Sequence, residues 1–173
     1  MKNSYALVTG ASSGIGLEIS NELAKQGFNV ILTARREDKL RNEAEKIQRK
    51  YNVAVDFISS DLSDIDAPNK IFNFCEQKNY QVDILVNNAG YGIKTSFHET
   101  SMEDEEKFIR VLGTSVIALS KAFLPKMMER NFGKIMIVSS VAAFAPPSSI
   151  QALYGPIKTF MNRFSDSLNI NYN

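Results

Sequence analysis

The stretch Thr9-Gly10-Ala11-Ser12-Ser13-Gly14-Ile15-Gly16 follows an apolar run, Ala6-Leu7-Val8, and opens a segment with helical spacing of apolar residues. Strand, glycine-rich turn and helix in that order leave few folds open. A parallel strand ends, the backbone turns sharply, and a new helix offers its unpaired N–H groups and positive dipole end to whatever anion sits there. Glycines keep side chains out of that space. The loop reads G-x-x-x-G-x-G, not the G-x-G-x-x-G of the dinucleotide fingerprint. It therefore implies a nucleotide-phosphate site or, as the plainer alternative, a turn that lets a helix pack closely on a strand.

Further apolar runs recur with helical stretches between them: Val30 to Ala34, Ala54 to Ile58, Ile84 to Val86 and Ile135 to Val138. None alternates cleanly, as expected of strands buried on both faces of a parallel sheet. Helical stripes lie between: Ile15, Ile19 and Leu23; then Leu40, Ala44, Ile47 and Tyr51; then Ile71, Phe74 and Cys75. Gly27 stops the first helix, and Pro68 falls in the first turn of the third. From about Ser101 to Asn131 a longer helical reach carries Phe108, Leu112, Leu119 and Phe123 on one side, with Pro125 near its end and Gly133 just past it. The acidic run Glu103 to Glu106 reads as a solvated first turn facing the helix dipole. Alternating strands and helices with right-handed crossovers give a doubly wound, three-layer α/β/α sheet. Its ligand crevice lies at the carboxyl ends of the strands.

The chain of 173 residues suits one domain, and 20 basic against 19 acidic residues leave a net charge of +1. That balance offers no basic footprint for nucleic acid. No window reads as both long and apolar enough for a membrane span, and the first strand starts too early for a signal peptide, which implies a cytoplasmic protein. The lone cysteine, Cys75, falls at a core position of its helix and reads as a small core filler. His98 reads as a surface residue without metal-ligand spacing.

More motifs fall at the carboxyl ends of the expected strands: Asp61-Leu62 after the third, Asn87-Asn88-Ala89-Gly90 after the fourth, Ser139-Ser140 after the fifth. Tyr154-x-x-x-Lys158 lies on the helix that follows. Together with the glycine loop this set resembles the short-chain dehydrogenase/reductase family over essentially the whole chain. The resemblance implies a Rossmann-type domain that uses NAD or NADP to oxidise alcohols or reduce carbonyls. Gly10, Ser12, Ser13, Gly14, Ile15 and Gly16 then form the phosphate loop. Asp61 with Leu62 meets the adenine, and Asn88, Ala89 and Gly90 border the adenosine ribose. Ser140, Tyr154 and Lys158 are implied to be catalytic, with Tyr154 and Lys158 also among the cofactor contacts and Lys158 on the nicotinamide ribose. Ser140 rather than Ser139 matches the family position. It stands 14 residues before Tyr154, one more than is usual, which places a one-residue insertion at Ala145-Pro146-Pro147.

Charge suggests the cofactor. The second strand ends Thr33-Ala34-Arg35-Arg36, with no carboxylate before Glu37. An NAD site wants an acid there, whereas a guanidinium fork suits the extra phosphate of NADP, so Arg35 points to NADP. The chemistry of Tyr154 follows from its neighbour: a phenol with a pKa near ~10 is a poor acid or base at neutral pH. An ammonium four residues along a helix shares its face and favours the phenolate.

Three departures from the family pattern stand out. Leu112 occupies the place of an asparagine that binds a relay water. Gly155-Pro156 lies between Tyr154 and Lys158, so either the helix begins near Leu153 or the Tyr154 to Lys158 geometry loosens. The chain also stops where family members continue with two more strands and a substrate loop, leaving a sheet edge and the apolar side chains Phe160, Phe164 and Leu168 without their usual cover. The reading is thus an NADP-dependent short-chain oxidoreductase acting on a small carbonyl or alcohol and self-associating as a homo-oligomer. The alternatives are a catalytically impaired nucleotide-binding or interaction protein of the same fold, and a flavodoxin-like fold without nucleotide chemistry.

Overall fold

The computed structural model describes residues 4–146 and 152–172. Strands β1 (Ser4–Thr9), β2 (Asn29–Ala34), β3 (Val55–Ser59), β4 (Gln81–Asn87) and β5 (Lys134–Ile137) form one parallel sheet in the order β3-β2-β1-β4-β5. The expected doubly wound, three-layer arrangement is present. Helices α1 (Gly14–Lys25) and α2 (Glu37–Tyr51) cover one face, where Val8, Val30, Leu32 and Val86 meet Ala24, Leu40, Ala44 and Ile47. On the other face Leu7, Ile31 and Leu85 meet α3 (Ala67–Gln77), α4 (Met102–Ile109), α5 (Ser115–Glu129) and the start of α6 (Tyr154–Tyr172).

Burial on both faces explains the unbroken apolar runs of β1 and β2. The short strand β5 differs: its residues alternate between exposed and half-buried, because it lies at the sheet edge. Helix α1 also departs from the expected stripe. Its buried residues are Gly16, Ser20 and Ala24, while Ile19 and Leu23 are half-buried and Ile15 is exposed. Small side chains let this helix lie almost on the backbone of the glycine loop.

The long helical reach is observed as α4, a wide π turn at Arg110–Thr114 and α5, and it runs through Pro125 to Glu129. Ser115 donates its hydroxyl to the Val111 carbonyl inside that irregular turn, at 2.9 Å. Two expectations about this region are corrected. Met102–Glu129, at 28 residues, is in fact long and apolar enough to cross a membrane by length and composition; half of its most apolar window is buried in the fold. The acidic first turn is not wholly solvated either. Glu105 is buried and accepts the Thr100 hydroxyl at 2.6 Å, whereas Glu103 is exposed and pairs with Lys107. Cys75 is buried as expected, and burial pushes its thiol up to about 12. His98 is exposed.

Candidate active site

The site grows from the end of β1. Thr9 Oγ1 accepts the backbone N–H groups of Asn88 and Ala89, both at 2.9 Å, and donates to the Val86 carbonyl at 3.3 Å. Asn88 Nδ2 donates to the Thr9 carbonyl at 2.9 Å, so its side chain braces the loop. Gly10 then turns with φ +68°, and a Cβ there would stand 2.9 Å from Ala89 Cα. A Cβ at Gly16 would stand 2.5 Å from the Gly10 carbonyl oxygen. Helix α1 starts with no side-chain cap on its first turn, which leaves donor groups for a ligand.

Beyond this floor opens a cleft of about 430 Å³ along the carboxyl ends of β1 to β4. The sequence-predicted Gly10, Ser12, Ser13, Arg35, Asp61, Leu62, Ala89 and Gly90 line it. Gly14, Ile15, Gly16 and Asn88 shape its floor or flank without lining it. Arg36, which the sequence placed beside Arg35 without assigning it a role, also lines the cleft, as do Tyr91, Lys107 and Val111, which sequence reasoning missed. Arg36 Nη2 reaches Ser12 Oγ at 3.2 Å and Ser13 Oγ at 3.4 Å, so a guanidinium already lies on the loop hydroxyls. Asp61 is held in a turn of its own, accepting from the Ser63 N–H at 2.9 Å.

At the end of β5 the chain bends into a 3₁₀ turn, Val141–Ala143, which Ser140 caps by accepting the Ala142 N–H at 3.1 Å. Helix α6 packs on that turn. Thr159 Oγ1 donates to the Ala143 carbonyl at 3.0 Å, and a Cβ at Gly155 would stand 3.0 Å from the Ala142 carbonyl oxygen. The Ile157 N–H donates to the Leu153 carbonyl at 2.9 Å, so the helical turn begins at Leu153 and Pro156 falls where its missing N–H matters least. Pro147, part of the expected insertion, lies outside the described residues.

Lys158 is 6% exposed, its Nζ donates to the Val138 carbonyl at 2.7 Å, and it lies 5.8 Å from the centre of the Tyr154 ring. Burial pushes the ammonium below its ordinary range. Ser139, by contrast, buries its hydroxyl without a partner among the described residues, and Leu112 is fully buried in the π turn near Gly90. Lys158 and Tyr154 thus lie together at the carboxyl end of β5, on the same rim of the sheet as the glycine cradle, but neither they nor Ser140 line the cleft. No cluster of three metal-ligating side chains occurs among the described residues.

The model of the family described as short chain dehydrogenase matches residues 4–173, and the chain belongs to this family. A very-long-chain 3-oxoacyl-CoA reductase of Laccaria bicolor is 36% identical over 171 residues, covering 96% of this chain and 50% of that protein. This chain therefore spans about half the length of the curated relatives it matches. Among solved structures, a short-chain dehydrogenase of Sphingobium yanoikuyae in complex with NADPH superposes with a TM-score of 0.91 at 29% identity, covering 98% of this chain and 65% of that one. A bulky-bulky ketone specific alcohol dehydrogenase of Comamonas testosteroni gives 0.91 at 27% identity, covering 98% and 68%.

Proposed function

We propose that the chain binds NADP(H) in the cleft and interconverts a carbonyl compound and its alcohol, with Tyr154 as general acid and base. The observation that carries the reading is Lys158: a buried ammonium tied to the end of β5 and lying on the Tyr154 ring, at the same rim as the glycine cradle. The residues present suit the cofactor. The uncapped start of α1 offers N–H donors to a pyrophosphate, Gly14 puts no side chain into the open space beside it, and Arg35 and Arg36 bring two cations toward an extra phosphate. Similarity to an NADPH-bound short-chain dehydrogenase supports the same choice.

NADP(H) supplies the hydride when bound. In the reductive direction Tyr154 gives its proton to the carbonyl oxygen as negative charge develops there. A hydroxyl has one donor and two acceptor sites, and Ser140 uses an acceptor site on Ala142. Its O–H stays available to polarise the substrate oxygen. Lys158 spends one of three N–H donors on Val138, which leaves two for the nicotinamide ribose and the phenol.

A second reading, a nucleotide-binding protein with impaired turnover, is favoured by the buried leucine at position 112 of the π turn, where a water-binding side chain is absent. Titration with NADPH followed by a carbonyl panel separates the two. The panel includes a 3-oxoacyl thioester and bulky ketones, the substrate types named for the similar proteins. Binding with turnover supports the first reading, binding without turnover the second, and no binding removes both. Self-association belongs to the same proposal, supported by exposed Met102, Ile109 and Met128 on the long helix and Phe160 on α6; sedimentation velocity tests it. A cytoplasmic location belongs to the proposal as well, in keeping with the apolar side of the long helix packing on the sheet.

A further inference from the structure

Three aromatic rings run from the rim of the cofactor cleft to the proposed catalytic phenol. Tyr91 lines the cleft and meets Phe108 edge-on, with ring centres 5.3 Å apart and planes at 83°. Phe108 is 1% exposed on α4 and lies 6.4 Å from the Tyr154 ring, tilted by 42°. Both separations fall in the range where aromatic pairs attract beyond simple burial. We propose that Phe108 is a positioning residue that holds the Tyr154 ring in register with Lys158, and that Tyr91 extends this contact to the cofactor's adenosine side. The inference rests on the reading of Tyr154 as the general acid.

The argument is geometric. A tyrosine hydroxyl sits at the far end of a lever that turns about the base of its side chain. A rotation of roughly ten degrees there carries the oxygen about an ångström, enough to lower a proton-transfer rate severely. The Lys158 ammonium lies against the Tyr154 ring, but it is already engaged with Val138 and touches the ring from one side only. Phe108 is fully enclosed and set on a helix that packs on the sheet core. Tyr91 is 40% exposed, so its ring is the member of the stack that a ligand in the cleft can touch. Adenosine seated against Tyr91 would press on Phe108, and Phe108 would pass that displacement to Tyr154.

The test uses the full chain labelled with ¹³C on tyrosine rings, with Tyr154 signals assigned by their loss in Tyr154→Phe. The variants are Phe108→Leu, Phe108→Tyr and Tyr91→Leu, the last at a half-open site where folding is not at risk. The probe is 2′,5′-ADP, which carries the adenosine half and no nicotinamide. Expected are shifted Tyr154 signals in Phe108→Leu, near-native signals in Phe108→Tyr, and a response of Tyr154 to 2′,5′-ADP in the wild type that vanishes in Tyr91→Leu. In turnover, Phe108→Leu should lower kcat on the order of tenfold while KM for ketone and NADPH stays within about twofold, and Phe108→Tyr should restore it. Unchanged Tyr154 signals in Phe108→Leu overturn the inference whether or not the protein turns over substrate. Equal changes in kcat and KM overturn it too. A wild type that binds 2′,5′-ADP but reduces no carbonyl sinks the oxidoreductase reading alone, because the ring signals still decide the positioning role.

Discussion

Three glycines of the phosphate loop separate two physical effects that are usually confounded. Gly10 has φ +68° and a Cβ would lie 2.9 Å from Ala89 Cα; Gly14 has φ +59° with nothing within 4 Å; Gly16 keeps helical backbone, and a Cβ would lie 2.5 Å from the Gly10 carbonyl oxygen. Placing an alanine in the left-handed region costs about 1–2 kcal/mol. Overpacking against backbone that cannot move aside costs about 1–3 kcal/mol. Gly14→Ala therefore carries only the conformational part, about 1–2 kcal/mol. Gly10→Ala carries both, about 2–5 kcal/mol. Gly16→Ala carries the packing part, reduced by roughly 1 kcal/mol of helix propensity. Urea unfolding of the three variants, with the slope checked for constancy, measures each. Should Gly14→Ala prove as costly as Gly10→Ala, the close approach of Gly10 to Ala89 contributes nothing, and the reasoning about the cradle is wrong.

Other outcomes follow from the same structure. Burial raises the Asp56 carboxyl, but Lys78 at 2.6 Å, Tyr80 at 2.7 Å and the Phe57 N–H at 2.8 Å outweigh it and hold the group below its ordinary 3.8. Its contribution is then present above about pH 4 and lost as pH falls through the folded value, so the stability gap between wild type and Asp56→Asn should close on acidification. A gap that stays constant down to pH 2 contradicts this. Arg35→Ala should weaken NADP binding far more than NAD binding, and Arg36→Ala should do the same because its guanidinium already rests on Ser12 and Ser13; equal losses for both cofactors remove the NADP assignment. Leu112→Asn puts an amide into a fully buried site and should cost about 1–3 kcal/mol in urea unfolding, and no loss would show that water reaches the π turn.

Much of this molecule could be read from residue order. Apolar runs without alternation located the central strands, and the stripes Leu40-Ala44-Ile47 and Phe108-Leu112-Leu119-Phe123 do face the core. Edge position is not encoded in a strand's own residues, so the alternating burial of β5 appeared only with the sheet order. Helix α1 misled because its burial is set by how near its axis comes to the sheet: close contact selects Gly16, Ser20 and Ala24 and leaves Ile15 outside. Glu105 lies in an acidic run, and only the Thr100 hydroxyl that it accepts explains its burial. The apolar length of Met102–Glu129 serves packing on a sheet, which composition cannot tell from packing in lipid. Tyr91 and Lys107 reach the cleft from a loop and a helix flank, where no periodicity marks them.

One hydroxyl joins the two ends of the phosphate floor. Thr9, 1% exposed, fastens Asn88 and Ala89, which lie 79 and 80 residues further along the chain. The knot lies just past the last paired residues of β1 and β4, so it closes the carboxyl end of the pairing between two interior strands. The amide protons of Asn88 and Ala89 should therefore trade with deuterium more slowly in the wild type than in Thr9→Val, which removes the hydroxyl that accepts them.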